Sequence, residues 1–269
     1  MKKELWINGE WVTTEAYQWL HNPYSGEQIA EIAIASSLDV DKAIQSAEDT
    51  NSIMKNMPAF QRSQILEKVS NLLADKKQEA ASILVQEASK PVSAALLEIE
   101  RTIQTYRFAA DEAKQLKGEV VPMDAAAGGV GRIGFTRREP LGVIGAISPF
   151  NFPFNLVAHK IGPAFAAGNT VVLKPASQTP LSAFFIAELF HEAGLPPGAL
   201  NVIAGNGSVI GDILVTDERV KMITFTASPD VGKHIRARAG LKRVTLELGS
   251  NSALIVDRGV DIDKIIPRC

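Results

Sequence analysis

The sequence predicts an α/β fold: a doubly wound, mainly parallel five-stranded sheet with N-terminal helices and a projecting β-hairpin arm. Three observations predict it. From Val143 onward short apolar β-runs alternate with helical segments, the order that builds parallel sheets. The first two of these strands end in polar groups, Ser148–Asn151 and Lys174–Ser177. That carboxyl edge is where open α/β sheets bind ligands. Before Val143, apolar residues recur mostly at helical spacing.

The elements follow in chain order. Trp6-Ile7-Asn8-Gly9-Glu10-Trp11 reads as a tight hairpin, because Asn-Gly suits a two-residue turn. After it the first section reads as mainly helical. Residues 39–51 are amphipathic, and Ile65, Leu66, Val69, Leu72, Leu73, Ile83 and Leu84 form one stripe through 61–89. Lys90-Pro91 breaks that helix and Val92–Lys114 starts another. Core packing explains such stripes. Residues 118–141 change character, with two β-runs around Ala125-Ala126-Ala127-Gly128-Gly129, and read as a hairpin. Strands are then expected at Val143–Ser148, Thr170–Lys174, Leu200–Ala204, Val220–Thr226 and Val244–Leu248. Helices are expected near Leu156–Ala167, Leu181–Ala193, Ser208–Leu214 and Val231–Ala239.

A chain of 269 residues with 46% hydrophobic and 22% charged residues buries a sizeable core. A formal net charge of -2 gives no electrostatic case for nucleic acid or an anionic membrane as partner. The one cysteine, Cys269, excludes an internal disulfide and fits a reducing cytoplasm. No signal core or membrane span is evident. His21, His159, His191 and His234 are far apart with no cysteine cluster, so no metal site is expected.

Several residues carry chemistry on their own terms. Gly205-Asn206-Gly207-Ser208-Val209-Ile210-Gly211 follows a strand and opens a helix, where glycines admit a phosphate or base and the helix end favours anions. A plain tight turn explains it equally. Ser228 opens the next helix, where its hydroxyl suits a phosphate oxygen or a helix cap. Lys174 ends an apolar strand within reach of ribose hydroxyls or of solvent. The Asn151 side chain either satisfies its own turn or stabilises an oxyanion, an effect of roughly 3 kcal/mol per donor. In Val244–Leu248, alternation puts Glu247 on the face opposite Val244, Leu246 and Leu248. A carboxylate at a buried strand end suits a general base, whereas a solvent-facing glutamate does nothing.

Pro149-Phe150-Asn151-Phe152-Pro153 and Lys174-Pro175 closely resemble motifs of the aldehyde dehydrogenase superfamily, P-[WF]-N-F-P and a strand ending K-P. The resemblance spans nearly the whole chain. It implies a Rossmann-like NAD(P)-binding core at 142–269, an oligomerisation arm at 118–141 and, at 1–117, the hairpin and helices of the same cofactor-binding domain. It implies cofactor contacts from Ile147, Ser148, Pro149, Phe150, Lys174, Ser177, Gly207, Gly211, Thr226, Ala227, Ser228, Val231 and Leu248. It gives Asn151 the oxyanion role, Glu247 the base role and Phe152 a place in the aldehyde channel. It implies a small aldehyde as substrate and a homodimer or homotetramer for the full enzyme.

Departures from the family pattern carry information. Ala227 stands where F-T-G-S-x-x-V-G has glycine, so its methyl group either crowds the cofactor or strains the backbone if φ must be positive. Ser177 replaces a glutamate common in NAD-preferring relatives, which removes a charge opposing a 2′-phosphate. NADP is therefore expected to bind at least as well as NAD. Ser250 replaces the second glycine of L-E-L-G-G, and ELGSNS resembles lactaldehyde- and glyceraldehyde-phosphate-type branches. No G-Q-x-C nucleophile motif occurs. The family's spacing places that cysteine roughly a dozen residues beyond Cys269. The expectation is a cofactor-binding portion without the catalytic domain, whose chemistry needs a covalent thiohemiacetal. The alternatives are a non-catalytic dinucleotide-binding or interaction fragment, or a non-functional truncation product.

Overall fold

The computed structural model describes residues 2–266. The N-terminal strands are β1 (Lys2–Lys3), β2 (Leu5–Ile7), β3 (Glu10–Val12), β4 (Ala16–His21) and β5 (Gln28–Ile34). Helices α1 (Ser37–Asn56), α2 (Ala59–Asp75), α3 (Lys77–Ala88) and α4 (Val92–Ala113) follow. The arm carries β6 (Val120–Val121) and β7 (Gly134–Phe135). The alternating part is β8 (Val143–Ile147), α5 (Asn155–Ala166), β9 (Thr170–Lys174), α6 (Leu181–Ala193), β10 (Leu200–Val202), α7 (Gly207–Thr216), β11 (Val220–Thr226), α8 (Pro229–Arg238) and β12 (Arg243–Glu247). A short α9 (Ile262–Ile265) closes the described chain.

The five expected strands form a parallel sheet in the order β12-β11-β8-β9-β10. The N-terminal hairpin extends it to seven strands, β2 pairing antiparallel with β10 through Trp6 and Val202. Asn8 (φ 55) and Gly9 (φ 79) give that hairpin the left-handed turn its two-residue loop requires.

Two N-terminal features differ from expectation. Residues 16–34 form a β-hairpin that joins β1 in a separate three-stranded sheet. The three isoleucines of β5 (QIAEIAI) favour a strand but lack strict alternation, and pairing with β1 and β4 settles the extended form. The stripe through 61–89 is two helices, broken at Lys76 (φ -95, ψ 20) with no proline or glycine to mark the break.

Chain direction locates the site. From β8 the chain moves outward to β9 and β10, then returns past β8 to β11 and β12. The strand order reverses between β8 and β11, and the crevice at their carboxyl ends is a topological switch point. Register aligns that edge: Ile147 pairs with Lys174 and Phe225, and Thr226 with Glu247.

Helices α3 and α4 underpin the edge. The buried carboxylate of Glu98 accepts hydrogen bonds from the Phe154 and Asn155 amides at 2.9 and 3.2 Å, closing the start of α5. Lys90 pairs with the same carboxylate. Glu87, also buried, accepts from the Leu181 and Ser182 amides at 2.7 and 3.0 Å at the start of α6, and from the Ser182 hydroxyl. Helix N-termini otherwise leave four N–H groups unsatisfied. Among the described residues, no helix is long and apolar enough to cross a membrane, and no cluster of metal-ligating side chains occurs.

Candidate functional site

A cleft of about 990 Å³ opens at the β8/β11 switch point. One wall is the turn after β8, with Ile147, Ser148, Pro149, Phe150 and Asn151. Ser148 and Pro149 are buried, whereas Phe150 and Asn151 face outward. Asn151 Oδ1 accepts the Phe152 amide at 3.1 Å, which satisfies its own turn. The Nδ2 protons are then the part of the side chain left to face a ligand.

Lys174 and Ala176 form the floor. Lys174 is 5% exposed, and its ammonium donates to the Pro175 carbonyl at 3.0 Å. Burial lowers its pKa to about 8. A cation under this strain of desolvation gains when an anion approaches it. Gly207 lies above: a Cβ there would stand 3.9 Å from Lys174 Nζ. A Cβ at Gly211 would meet nothing within 4 Å, so glycine there leaves the cleft wall open. Asn206 caps α7, its Oδ1 accepting from the Ser208 amide and hydroxyl at 3.0 and 2.9 Å.

The third wall is the β11–α8 junction. Thr226, Ala227, Ser228 and Val231 all line the cleft, as does Leu248 beyond β12. Ser228 is the N-cap of α8 by backbone geometry, yet its side chain makes no capping bond. Ser228 thus leaves its hydroxyl uncommitted where the N-terminus of a ten-residue helix opens at the cleft, with the exposed Asp230 in its first turn. Ala227 has no positive φ, which removes the strain expected there and leaves only its methyl group in the cleft. A Cβ at Gly232 would come within 2.5 Å of the half-exposed Leu248 side chain, which would have to shift.

Three expected site residues lie elsewhere. Ser177 lines a second cavity of about 540 Å³, which meets the cleft at Phe150 and Asn151, and its hydroxyl donates to the Gly205 carbonyl at 3.1 Å. Phe152 lines neither cavity; its ring lies under Lys90 Nζ, 4.0 Å from the centroid. Glu247 is exposed and off the cleft lining, because β12 ends the sheet and has no neighbour to bury its outer face.

Lys160 was not anticipated. It projects from α5 into the interior, and its Nζ donates to Thr226 Oγ1 at 2.8 Å, behind the cleft wall. Burial lowers its pKa to about 8, partly offset by the Glu247 charge. Its helical spacing from Val157, Ile161 and Ala164 placed it on the buried face and was the available signal. Asp212 and His234 also went unforeseen. Both line the cleft, with His234 Nε2 2.8 Å from Asp212 Oδ1.

The assembled site is an elongated cleft with a buried lysine, an open helix N-terminus, small residues and a free amide at one end. That combination suits an extended diphosphate ligand. Comparison with known proteins agrees. The sequence pattern of the aldehyde dehydrogenase family matches residues 11–269. A 3-sulfolactaldehyde dehydrogenase of Priestia aryabhattai is 46% identical over 260 residues, covering 97% of this chain and 54% of that protein. A lactaldehyde dehydrogenase of Methanocaldococcus jannaschii is 41% identical, with 97% and 56% covered. The crystal structure of an NADP-dependent glyceraldehyde-3-phosphate dehydrogenase from Bacillus halodurans, complexed with NADP, superposes with a TM-score of 0.90 at 41% identity, covering 93% of this chain and 52% of that one. The chain thus spans about half the length of these relatives. With the motif, the switch-point cleft and the sequence match in agreement, the chain belongs to the aldehyde dehydrogenase family.

Proposed function

We propose that the switch-point cleft binds NAD(P), and that the protein to which these residues belong oxidises an aldehyde to a carboxylic acid. The observation that carries the reading is the cleft itself. Its volume suits a dinucleotide, its α8 N-terminus is uncapped, and Gly207 and Gly211 leave the space a side chain would fill. Ser228 and the Asp230 and Val231 amides of α8 would hold the diphosphate, Pro229 at the first helical position having no N–H, with Val231 and Leu248 as apolar walls. Lys174 reaches the ribose, and Ile147 to Phe150 back the nicotinamide end. The bound nicotinamide supplies a hydride acceptor.

The chain's own groups do the rest. Asn151 Nδ2 donates to the oxyanion that forms when a thiolate adds to the aldehyde carbonyl, a contribution of roughly 3 kcal/mol. The family resemblance gives Glu247 the base role and Phe152 a place on the aldehyde's approach, roles in which both would act from outside the cleft lining. Cys269 lies outside the described residues and lacks the G-Q-x-C setting of the family's nucleophile. These 269 residues by themselves are therefore expected to bind the dinucleotide without oxidising aldehydes.

NADP is expected to bind at least as well as NAD. Ser177 brings no carboxylate near the ribose, although its hydroxyl is engaged by Gly205. The substrate class is a short 2-hydroxyaldehyde, which the names of the relatives and the ELGSNS stretch both suggest. The exposed Val120, Ile133 and Phe135 of the arm are proposed to pack against a second subunit. A single cysteine suits a cytoplasmic setting.

Calorimetric titration of the 269-residue chain with NADP and NAD tests the cofactor reading. Binding of both, NADP at least as tightly, supports it; no binding of either sinks it, and a clear NAD preference overturns the NADP assignment. Appearance of NAD(P)H with short aldehydes would overturn the expected inactivity. Light scattering before and after removal of residues 118–141 tests the arm. An unchanged mass excludes it as the contact.

A further inference from the structure

The outer end of the cleft carries a polar pair that none of these roles uses. Asp212 comes from α7 and His234 from α8, and both line the cleft. A carboxylate has no proton to give, so His234 Nε2 donates to Asp212 Oδ1 across 2.8 Å. Arg238 Nε stands 3.6 Å from the other oxygen, Oδ2. Two residues of one helix, His234 and Arg238, thus bracket a single carboxylate on the other. Val231 and Ile235 line the same cleft, as does Gly211, where a Cβ would meet nothing within 4 Å. The result is an apolar slot whose rim presents a held carboxylate with lone pairs to spare.

The NAD(P) reading and the family resemblance put the nucleobase at this slot; within it, we propose that Asp212, fixed by His234, reads the 6-position of the purine. The proposal rests on the NAD(P) reading of the cleft. Adenine carries an exocyclic amine at that position, a donor that matches an acceptor-only carboxylate. Hypoxanthine carries a 6-oxo group there and moves its donor to N1–H, one position along the ring edge, so a carboxylate held in place by His234 faces an acceptor. Leaving such groups unpaired is what gives polar sites their discrimination. Asp212 is the specificity residue, and His234 is a positioning residue that acts through it.

The probes are NAD and its hypoxanthine analogue, titrated calorimetrically into the 269-residue chain. The adenine form is expected to bind about tenfold more tightly. Asp212→Asn offers both a donor and an acceptor in the same volume. It is expected to keep adenine affinity within about twofold while raising hypoxanthine affinity toward parity. His234→Val leaves Asp212 present but unheld and is expected to give an intermediate ratio. His234 is exposed and Asp212 half-buried outside the core, and an unchanged thermal midpoint checks that each variant keeps the fold. Equal affinity of the two forms for the unmodified chain, or an unchanged ratio in Asp212→Asn, overturns the proposal while leaving the NAD(P) reading intact. Failure of both forms to bind overturns both.

Discussion

On one side of the switch point, β8 and β9 are buried at every residue, and the helices that follow them begin against the buried carboxylates of Glu98 and Glu87. On the other side, β12 alternates exposed and half-buried residues, and α8 begins at Ser228 with no side-chain cap. Helix α7, between them in the chain, is capped by its own Asn206. The difference separates two uses of a helix N-terminus. Where protein carboxylates already occupy the first N–H groups, the end is part of the framework and has nothing left for a ligand anion. Where the cap hydroxyl and the amides remain open at a cleft, the same physics serves binding.

The largest effect expected from this contrast is on the framework side. Glu98→Ala leaves the Phe154 and Asn155 amides without their acceptor and Lys90 without its counter-charge. Removing one partner of a buried pair costs about 3–5 kcal/mol. Urea denaturation of the variant measures this. A loss below about 1 kcal/mol would mean that the α5 end needs no such support.

An effect of comparable size is expected in the pH dependence of stability. Burial raises the Glu87 pKa from 4.5 to about 8, against the hydrogen bonds it accepts from Ser182 and Leu181. The folded chain therefore holds this proton more tightly than the unfolded one. The contribution is complete below 4.5 and is lost as pH rises through about 8, at up to about 1.4 kcal/mol per pH unit. Glu87→Gln keeps one acceptor oxygen, sets an NH2 against the other amide at a pH-independent cost, and has no proton to lose. Its stability measured between pH 5 and 8 should lack the decline seen in the unmodified chain. Parallel curves would show that Glu87 stays ionised.

The smallest expected effect on stability belongs to the open side, where it sharpens the comparison. Ser228→Ala removes a hydroxyl that caps nothing, so the denaturation midpoint should barely move. Dinucleotide affinity should fall about tenfold, the worth of one hydrogen bond to a charged oxygen. A marked loss of stability with affinity preserved would reverse the assignment and make Ser228 an ordinary cap.

Local pattern alone carried much of this protein. Apolar runs ending in SPFN and LKPAS marked β8 and β9 and placed their polar ends at one edge, because strand periodicity and parallel connectivity are properties of neighbouring residues. Asn8-Gly9 marked the first hairpin for the same reason, since only such residues enter left-handed turns cheaply. The expectation of cofactor contacts from Ile147 to Leu248 came from the family resemblance, carried by motifs that stand directly after strands, and most of those residues line the cleft. Other features depended on contacts between distant segments. Glu87 and Glu98 read as polar positions on amphipathic helices, and only packing set them beneath α6 and α5. Ser177 follows Lys174 by three residues, yet its hydroxyl turns to Gly205 and leaves the cleft. Lys160, Asp212 and His234 have partners 66, 22 and 22 residues away. The sequence by itself determined which residues stand at the strand ends. The tertiary structure decided which helix ends were closed and which side chains face the cleft, because those outcomes depend on burial and hydrogen-bond partners that no local window contains.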